Sequence, residues 1–506
     1  MTKQYLLGID IGTSACKVAL FGKDGKVEAA VSEGYPVYYP HPGWAEQNPD
    51  EWWEAVCKAI WTVISSSGIS PDDIAGIGID GQSWSAIAID EEGNVLTNTP
   101  IWMDTRAQSI CDRVNAEVGG GKIFELCGNM LQPSYTTAKI LWYKENMPEV
   151  YAKTYKILQS NSFIGYRLTG AITQDVSMGY GLHCFNMRTG KWDYEMCEAL
   201  GIPAGFLPEV VACHQIIGTV TEKAAEQTGL KAGTPVAAGG LDAACGTLGA
   251  GVIHPGETQE QGGQAGGMSI CIDEYAADPR LILGYHVVPD QWLLQGGTVG
   301  GGGVMRWLEH EFGDYERVVA VEKGKTSLHQ YNEEAEQVPA GSDGLVFLPY
   351  MAGERSPIWD PNAKGVFYGL DFSKTKGHMI RSCMEGVAYS LKHNLDVAEQ
   401  AGAYVKELRA VGGSANSALW MQIKSDITGK PLVVPFSDTA TTLGAAILAG
   451  VGVGMYESFE DAVAQTVQIT RRYEPNHAND NVYGKNYETY LALYENLKDL
   501  MKRNAE

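Results

Sequence analysis

Residues 8–17 read GIDIGTSACK and residues 237–251 read AAGGLDAACGTLGAG. In each, an apolar strand runs into an aspartate, Asp10 or Asp242, beside a tight glycine turn whose N–H groups could face phosphate oxygens. The first is the more complete: Tyr5 to Ile9 leads into Asp10, Gly12-Thr13-Ser14 turns, and a second strand carries Lys17, Val18 and Ala19. Gly12 permits close backbone approach, Thr13 and Ser14 add hydroxyl donors, and Lys17 brings positive charge, so the hairpin is built to grip phosphate. A lone glycine hairpin is also a common structural turn. Two of them, far apart, argue for a repeated phosphate-binding fold.

Composition narrows the class. A chain of 506 residues is expected to form at least two domains. Its 44% hydrophobic and 20% charged residues are those of an ordinary soluble protein. With 38 basic and 61 acidic side chains the net charge is −23, which argues against nucleic acid or an anionic membrane as partner. A polyphosphate must then be held by local devices: backbone amides, a lysine, a metal ion. The ten cysteines, Cys16 to Cys383, show no CxxC spacing, which reads as reduced cytoplasmic thiols. Cys213-His214 lacks the second pair that a zinc site needs. The N-terminus meets Asp10 too early for a secretory signal, and no apolar run reaches about 18 residues, the length of a membrane span.

Local signals place the elements. Strands are expected at 5–10, 15–21 and 26–33, the last two joined by Gly22-Lys23-Asp24-Gly25. Asn48-Pro49-Asp50-Glu51 combines an N-cap, a first-turn proline and a glutamate, and predicts a helix to about Ser66 that buries Trp52, Val56, Ile60 and Ile64. A strand from Ile74 to Ile79 should turn at Asp80 to Ser85 and return as a hairpin. A helix near 221–229 and a strand Pro235 to Ala238 lead to Asp242. The second half repeats the theme with a strand Gln259 to Gly262, GGQAGGMSI at 262–270, a strand Trp292 to Gln295, and Gly300 to Gly303 opening a helix. A strand Glu407 to Val411, the turn Gly412-Gly413-Ser414-Ala415-Asn416, a helix to Thr428, and a last helix from about Asn486 follow. The expected fold class is α/β, two domains (1–250 and 251–506) with a cleft between them.

Four longer stretches carry a resemblance. SYTTAKILWYKEN at 134–146 and GVFYGLDFSKTKGHMIRSCME at 365–385 are similar to the two signatures of the FGGY carbohydrate kinases. GERSPIWDP at 353–361 and HPGWAEQNPDEWW at 41–53 look like the xylulokinase branch. The resemblance implies the duplicated, ribonuclease H-like fold of the actin/hexokinase type, and ATP with Mg²⁺ as cofactors. It implies Asp242 as the base that takes the hydroxyl proton, Asp10 as the metal-organising carboxylate, and Gly12, Thr13, Ser14 and Lys17 as the first phosphate hairpin. Gly263 and Gln264 stand where the second hairpin usually carries a hydroxyl residue. Gly412, Gly413, Ser414 and Asn416 match the adenosine turn, with Gly302 flanking it. The sugar would meet Gln82, Ser83, Trp84, Asp104, Arg106 and Asp242; Ser83-Trp84 replaces the branch's Met-His, so an imidazole becomes a donor-only indole.

Each residue also has a plainer reading. Asp242 could cap a helix, Asp10 could merely close its hairpin, 412–416 could be only a turn, Trp84 could be core, and Asp104 with Arg106 could be a surface pair. At the level of class, an ATP-dependent sugar kinase competes with a non-enzymatic actin- or Hsp70-like switch. A dinucleotide-binding dehydrogenase fails because GIDIGTS is not a G-x-G-x-x-G that opens a helix. Within the kinase reading D-xylulose leads, with another ketopentose, a polyol or a glycerol-like substrate as alternatives. The expected partners are the small sugar and ATP, in the cytoplasm; self-association as a homodimer stays open.

Overall fold

In the computed structural model, which describes residues 4–436 and 439–503, β1 (Tyr5–Ile11) and β2 (Ala15–Gly22) pair antiparallel around the 12–14 turn. β3 (Val27–Gly34) continues the meander. The helix predicted from Asn48 is present as Pro49–Ser67, with the Asn48 side chain accepting from Asp50 N–H; Trp52, Val56 and Ile60 are buried, while Ile64 is half-buried.

β4 (Ile74–Gly81) then lies parallel to β1. The expected hairpin return after Ser85 does not form: Ile87–Ile89 leaves the sheet and pairs with Lys156–Leu158. What flanks β4 comes from far along the chain, β6 (Pro235–Ala237) and β7 (Gly240–Leu241), both parallel to it, with β5 (Ile216–Thr219) antiparallel outside β6. The order is β5-β6-β4-β1-β2-β3.

A second sheet repeats this plan. β8 (Glu257–Gly262), β9 (Gly266–Ile272), β10 (Ile282–Tyr285), β11 (Trp292–Thr298), β12 (Glu407–Val411), β13 (Leu432–Pro435) and β14 (Ile469–Tyr473) run in the order β10-β11-β9-β8-β12-β13-β14. In both sheets a three-stranded antiparallel meander, β1-β2-β3 or β8-β9-β11, is extended by parallel strands on the far side of its first member. That correspondence is the expected duplication, with one correction: the second hairpin is the one at Gly262–Gly266, while 237–251 supplies β7 and a helix to the first sheet because its strands pair in parallel with β4.

The halves interlock through two helices, Asp242–Gly249 and Ala440–Gly452. A Cβ on Gly249 would lie 1.9 Å from Ala440 O, and one on Gly444 1.9 Å from Cys245 O, so the backbones touch. The 440–452 helix also lies on the first sheet, where a Cβ at Gly78 would come within 1.8 Å of Ala445 O. Glycine is required at these crossings because any side chain would drive the sheets apart. The last helix begins at Asp480, six residues before the expected Asn486. None of the ten cysteines forms a disulfide, and no helix among the described residues is long and apolar enough to cross a membrane.

Candidate active site

The parallel register of β1, β4 and β7 sets Asp10 beside Asp80, with Gly240 paired to Asp80 and Asp242 two residues on. Three carboxylates therefore converge where the sheet meets the 242–249 helix. Asp80 was not among the candidates, although GID recurs at 8–10 and 78–80 at the end of two apolar strands.

Their electrostatics follow from crowding. Burial raises Asp10, opposed by hydrogen bonds from Asp80 and from Thr441 Oγ1 at 3.2 Å and by the charge of Lys17. Burial, then the charge of Asp10, pushes Asp80 well above the carboxylate range. Its two oxygens meet no donor from any other described group. Burial and then Asp10 lift Asp242 to about 7, against the pull of the Ala243 N–H 2.7 Å away. A carboxylate poised near neutrality is what a general base requires.

The first phosphate hairpin is heavily braced. Tyr35 OH donates to Gly12 O, Gln47 Nε2 to Thr13 O at 2.8 Å, and Trp102 Nε1 to Thr13 Oγ1 at 3.0 Å. Ser14 is exposed at the tip, and Lys17 stands opposite Asp10 in the β1–β2 register. Gln82 belongs to this bracing, since its Nε2 donates to Gln47 Oε1 at 2.8 Å.

Across the cleft, a cavity of about 550 Å³ is lined by Gly263, Gln264, Gly302, Gly413, Ser414 and Asn416, all expected nucleotide contacts. Arg306 lines it too and donates to Gln264 Oε1 at 2.5 Å. The Gln264 amide is thereby turned toward the Gly302–Phe312 helix, and Arg306 is a cationic side chain that sequence reasoning missed. Gly412 adopts φ +88°, where a Cβ would lie 2.9 Å from Gly262 O. The Ser414 hydroxyl faces inward, accepting from Lys424 Nζ at 3.1 Å; Lys424 is itself paired with the buried Glu260 at 2.6 Å.

On the first half, Trp84 stacks on Tyr135 (centroids 4.1 Å, 23°) with Tyr180 edge-on at 5.9 Å. Its backbone sits at φ +59°, and its carbonyl accepts from the buried Lys139 Nζ at 2.6 Å. Burial lowers the Lys139 ammonium to about 7. Trp84 Nε1 is buried, with the Tyr180 hydroxyl as the group its N–H acts on. Ser83 is half-buried beside it. Asp104 and Arg106, expected at the sugar, are placed otherwise. Asp104 accepts from Ala45 N at 2.7 Å and from Arg106; Arg106 pairs with Glu46 at 2.8 Å and lies 3.8 Å over the Trp44 ring. Both are almost wholly buried in that knot, which frames the HPGW loop.

Three crowded carboxylates beside the 12–14 hairpin, Asp242 among them at about 7, and a glycine-lined cavity in the second half are what a phosphoryl-transfer enzyme of the duplicated α/β class requires. Models of the FGGY family of carbohydrate kinases match residues 5–249 (N-terminal domain) and 273–453 (C-terminal domain), and the chain belongs to that family. It is 31% identical to a xylulose kinase of Bacillus subtilis over 98% of each chain, and 33% identical to a gluconokinase of the same organism over 98% of this chain and 96% of that one. The crystal structure of a xylulose kinase from Rhodospirillum rubrum superposes with a TM-score of 0.89 at 29% identity, covering 99% and 100% of the two chains.

Proposed function

We propose that this sugar kinase transfers the γ-phosphoryl group of ATP to D-xylulose, giving D-xylulose 5-phosphate, with Asp242 as the base. The observation that carries the reading is Asp242 itself: a carboxyl held near 7 where β7 meets the 242–249 helix, crowded by Asp10 and Asp80. It accepts the proton of the attacking hydroxyl while the hairpin N–H groups and Lys17 hold the phosphates. Asp10 and Asp80 suit Mg²⁺, a hard cation that takes one or two carboxylates and phosphate oxygens, and the donor-less Asp80 oxygens fit such a group. When bound, the ion would neutralise phosphate charge. Trp84 and Tyr135 form an apolar wall for the carbon chain of the sugar. A cytoplasmic setting belongs to the same reading, supported by ten unpaired thiols and an ATP substrate.

A second substrate class is favoured by one observation. It is the 33% identity to a gluconokinase, whose sugar acid would bring a carboxylate, an acceptor-only group, to the site. Coupled ADP release measured over ketopentoses, polyols, glycerol and D-gluconate separates the two. Turnover on none of them, with ATP binding intact, would overturn the proposal.

A further inference from the structure

Asp242 is delivered by the four residues Ala238 to Leu241, and both ends of that segment are tied to one buried carboxylate outside the cleft. Asp175 is 1% exposed. Its Oδ1 accepts from Ser177 Oγ at 2.6 Å, Met178 N at 3.0 Å and Cys213 Sγ at 3.8 Å; its Oδ2 accepts from Asn161 Nδ2 at 2.8 Å and Gln174 Nε2 at 3.1 Å. Ser177 Oγ in turn accepts from Leu241 N at 2.9 Å, one residue before Asp242. Asn161 Nδ2 also donates to Ala238 O at 3.2 Å. Between these two anchors Gly239 turns at φ +78°, with a Cβ there 1.8 Å from Ile79 O. No rotation of the segment is possible without breaking one anchor or striking β4.

From this geometry we infer that Asp175, acting through Ser177, is a positioning residue for the base: it sets the height of Leu241 and so the aim of the Asp242 carboxylate. All five partners of Asp175 are donors, so only an acceptor-only group satisfies them together. Asp175 also caps the Val176–Gly181 segment, which carries Tyr180 to the wall beside Trp84. One buried carboxylate thus registers the base against the sugar wall. The neighbouring Lys139, which grips the carbonyls of Trp84 and Ser134, holds the opposite side of that wall. Misplacement by about 1 Å is enough to cost roughly a hundredfold in rate.

The inference rests on Asp242 being the base, and the test separates the two ideas. Ser177→Ala removes one hydroxyl from the chain while leaving the Asp175 cap on Met178 and Asn161 in place. It is expected to lower kcat by about 10- to 100-fold with the KM values for sugar and ATP within about threefold. Combined with Asp242→Asn, Ser177→Ala should cost less than about twofold further, because there is no base left to aim. Asp175→Asn turns one acceptor into a donor facing Asn161 and Gln174, and should lower kcat and raise the sugar KM together. If Asp175→Asn does not fold by circular dichroism, the Ser177 cycle decides alone. Equal losses from Ser177→Ala in both backgrounds, or a kcat unchanged in the single variant, would overturn the positioning role. A kcat unchanged in Asp242→Asn alone would instead overturn the base.

Discussion

Replacing Asp242 by Asn should make the protein more stable and nearly inactive. The carboxyl, ordinarily at 3.8, is lifted to about 7 because burial and the charge of Asp10 disfavour its ionised form. A folded-state value above the unfolded one means that stability is fully present below about pH 4, is lost as the pH climbs toward 7, and changes no further above it. At about 1.4 kcal/mol per unit, the ionised group costs the fold at most about 4 kcal/mol at pH 8, and partial access of cleft water lowers this to about 2–4. Asparagine keeps the shape and the acceptor for Ala243 N–H without the charge. Its thermal midpoint should exceed that of the wild type at pH 8, by a margin that shrinks steadily toward pH 5. Turnover should fall by roughly 10²–10⁴, the range for a lost general base. In the wild type the acid limb of kcat/KM should rise with pH through a midpoint near 7, and the variant should lack that limb. Scanning fluorimetry across pH and a coupled ADP assay read both effects. A variant no more stable than wild type at pH 8 would refute the burial argument; turnover within threefold of wild type would remove Asp242 from catalysis.

Other substitutions probe the rest of the site. Asp10→Ala should weaken Mg²⁺-dependent turnover, with high Mg²⁺ restoring it only in part because the carboxylate orders the ion's water shell; an unchanged Mg²⁺ titration would make Asp10 structural. Lys17→Met should raise the KM for ATP by about tenfold, the worth of a charge-assisted contact, and an unaltered KM would place that side chain away from phosphate. Arg306→Met, which frees Gln264 Oε1, should raise the KM for ATP by about three- to tenfold with kcat nearly unchanged; a fall in kcat alone would contradict a nucleotide-side role. Trp84→His should shift the ratio of kcat/KM values toward D-xylulose over D-gluconate, within the range of about 1–3 kcal/mol that a pocket wall can discriminate. Constant ratios would assign Trp84 to the core and move the specificity elsewhere.

The parts of this protein that were legible in its sequence are those decided within a few residues. Asn48-Pro49-Asp50-Glu51 starts a helix because an N-cap and a fixed φ act locally, and the 12–14 and 412–416 glycines turn because little else tolerates those backbones or approaches. The apolar strand that ends on Asp10 and the glycine runs of the second half were enough to announce a duplicated phosphate-binding fold. What the tertiary structure alone decided are the relations between distant segments. Asp80 joins the site only because β4 pairs in parallel register with β1, and the strand after it leaves for Lys156–Leu158 because β6 and β7 fill the neighbouring places. Asp104 and Arg106 carry the same chemistry whether they meet a sugar or Glu46 and Trp44, and packing chose the latter. Asp175 and Ser177 lie more than sixty positions before Asp242. A side chain's type sets what it can bond, while its partner is set by which backbones can approach closely enough, and that is a property of the assembled sheets.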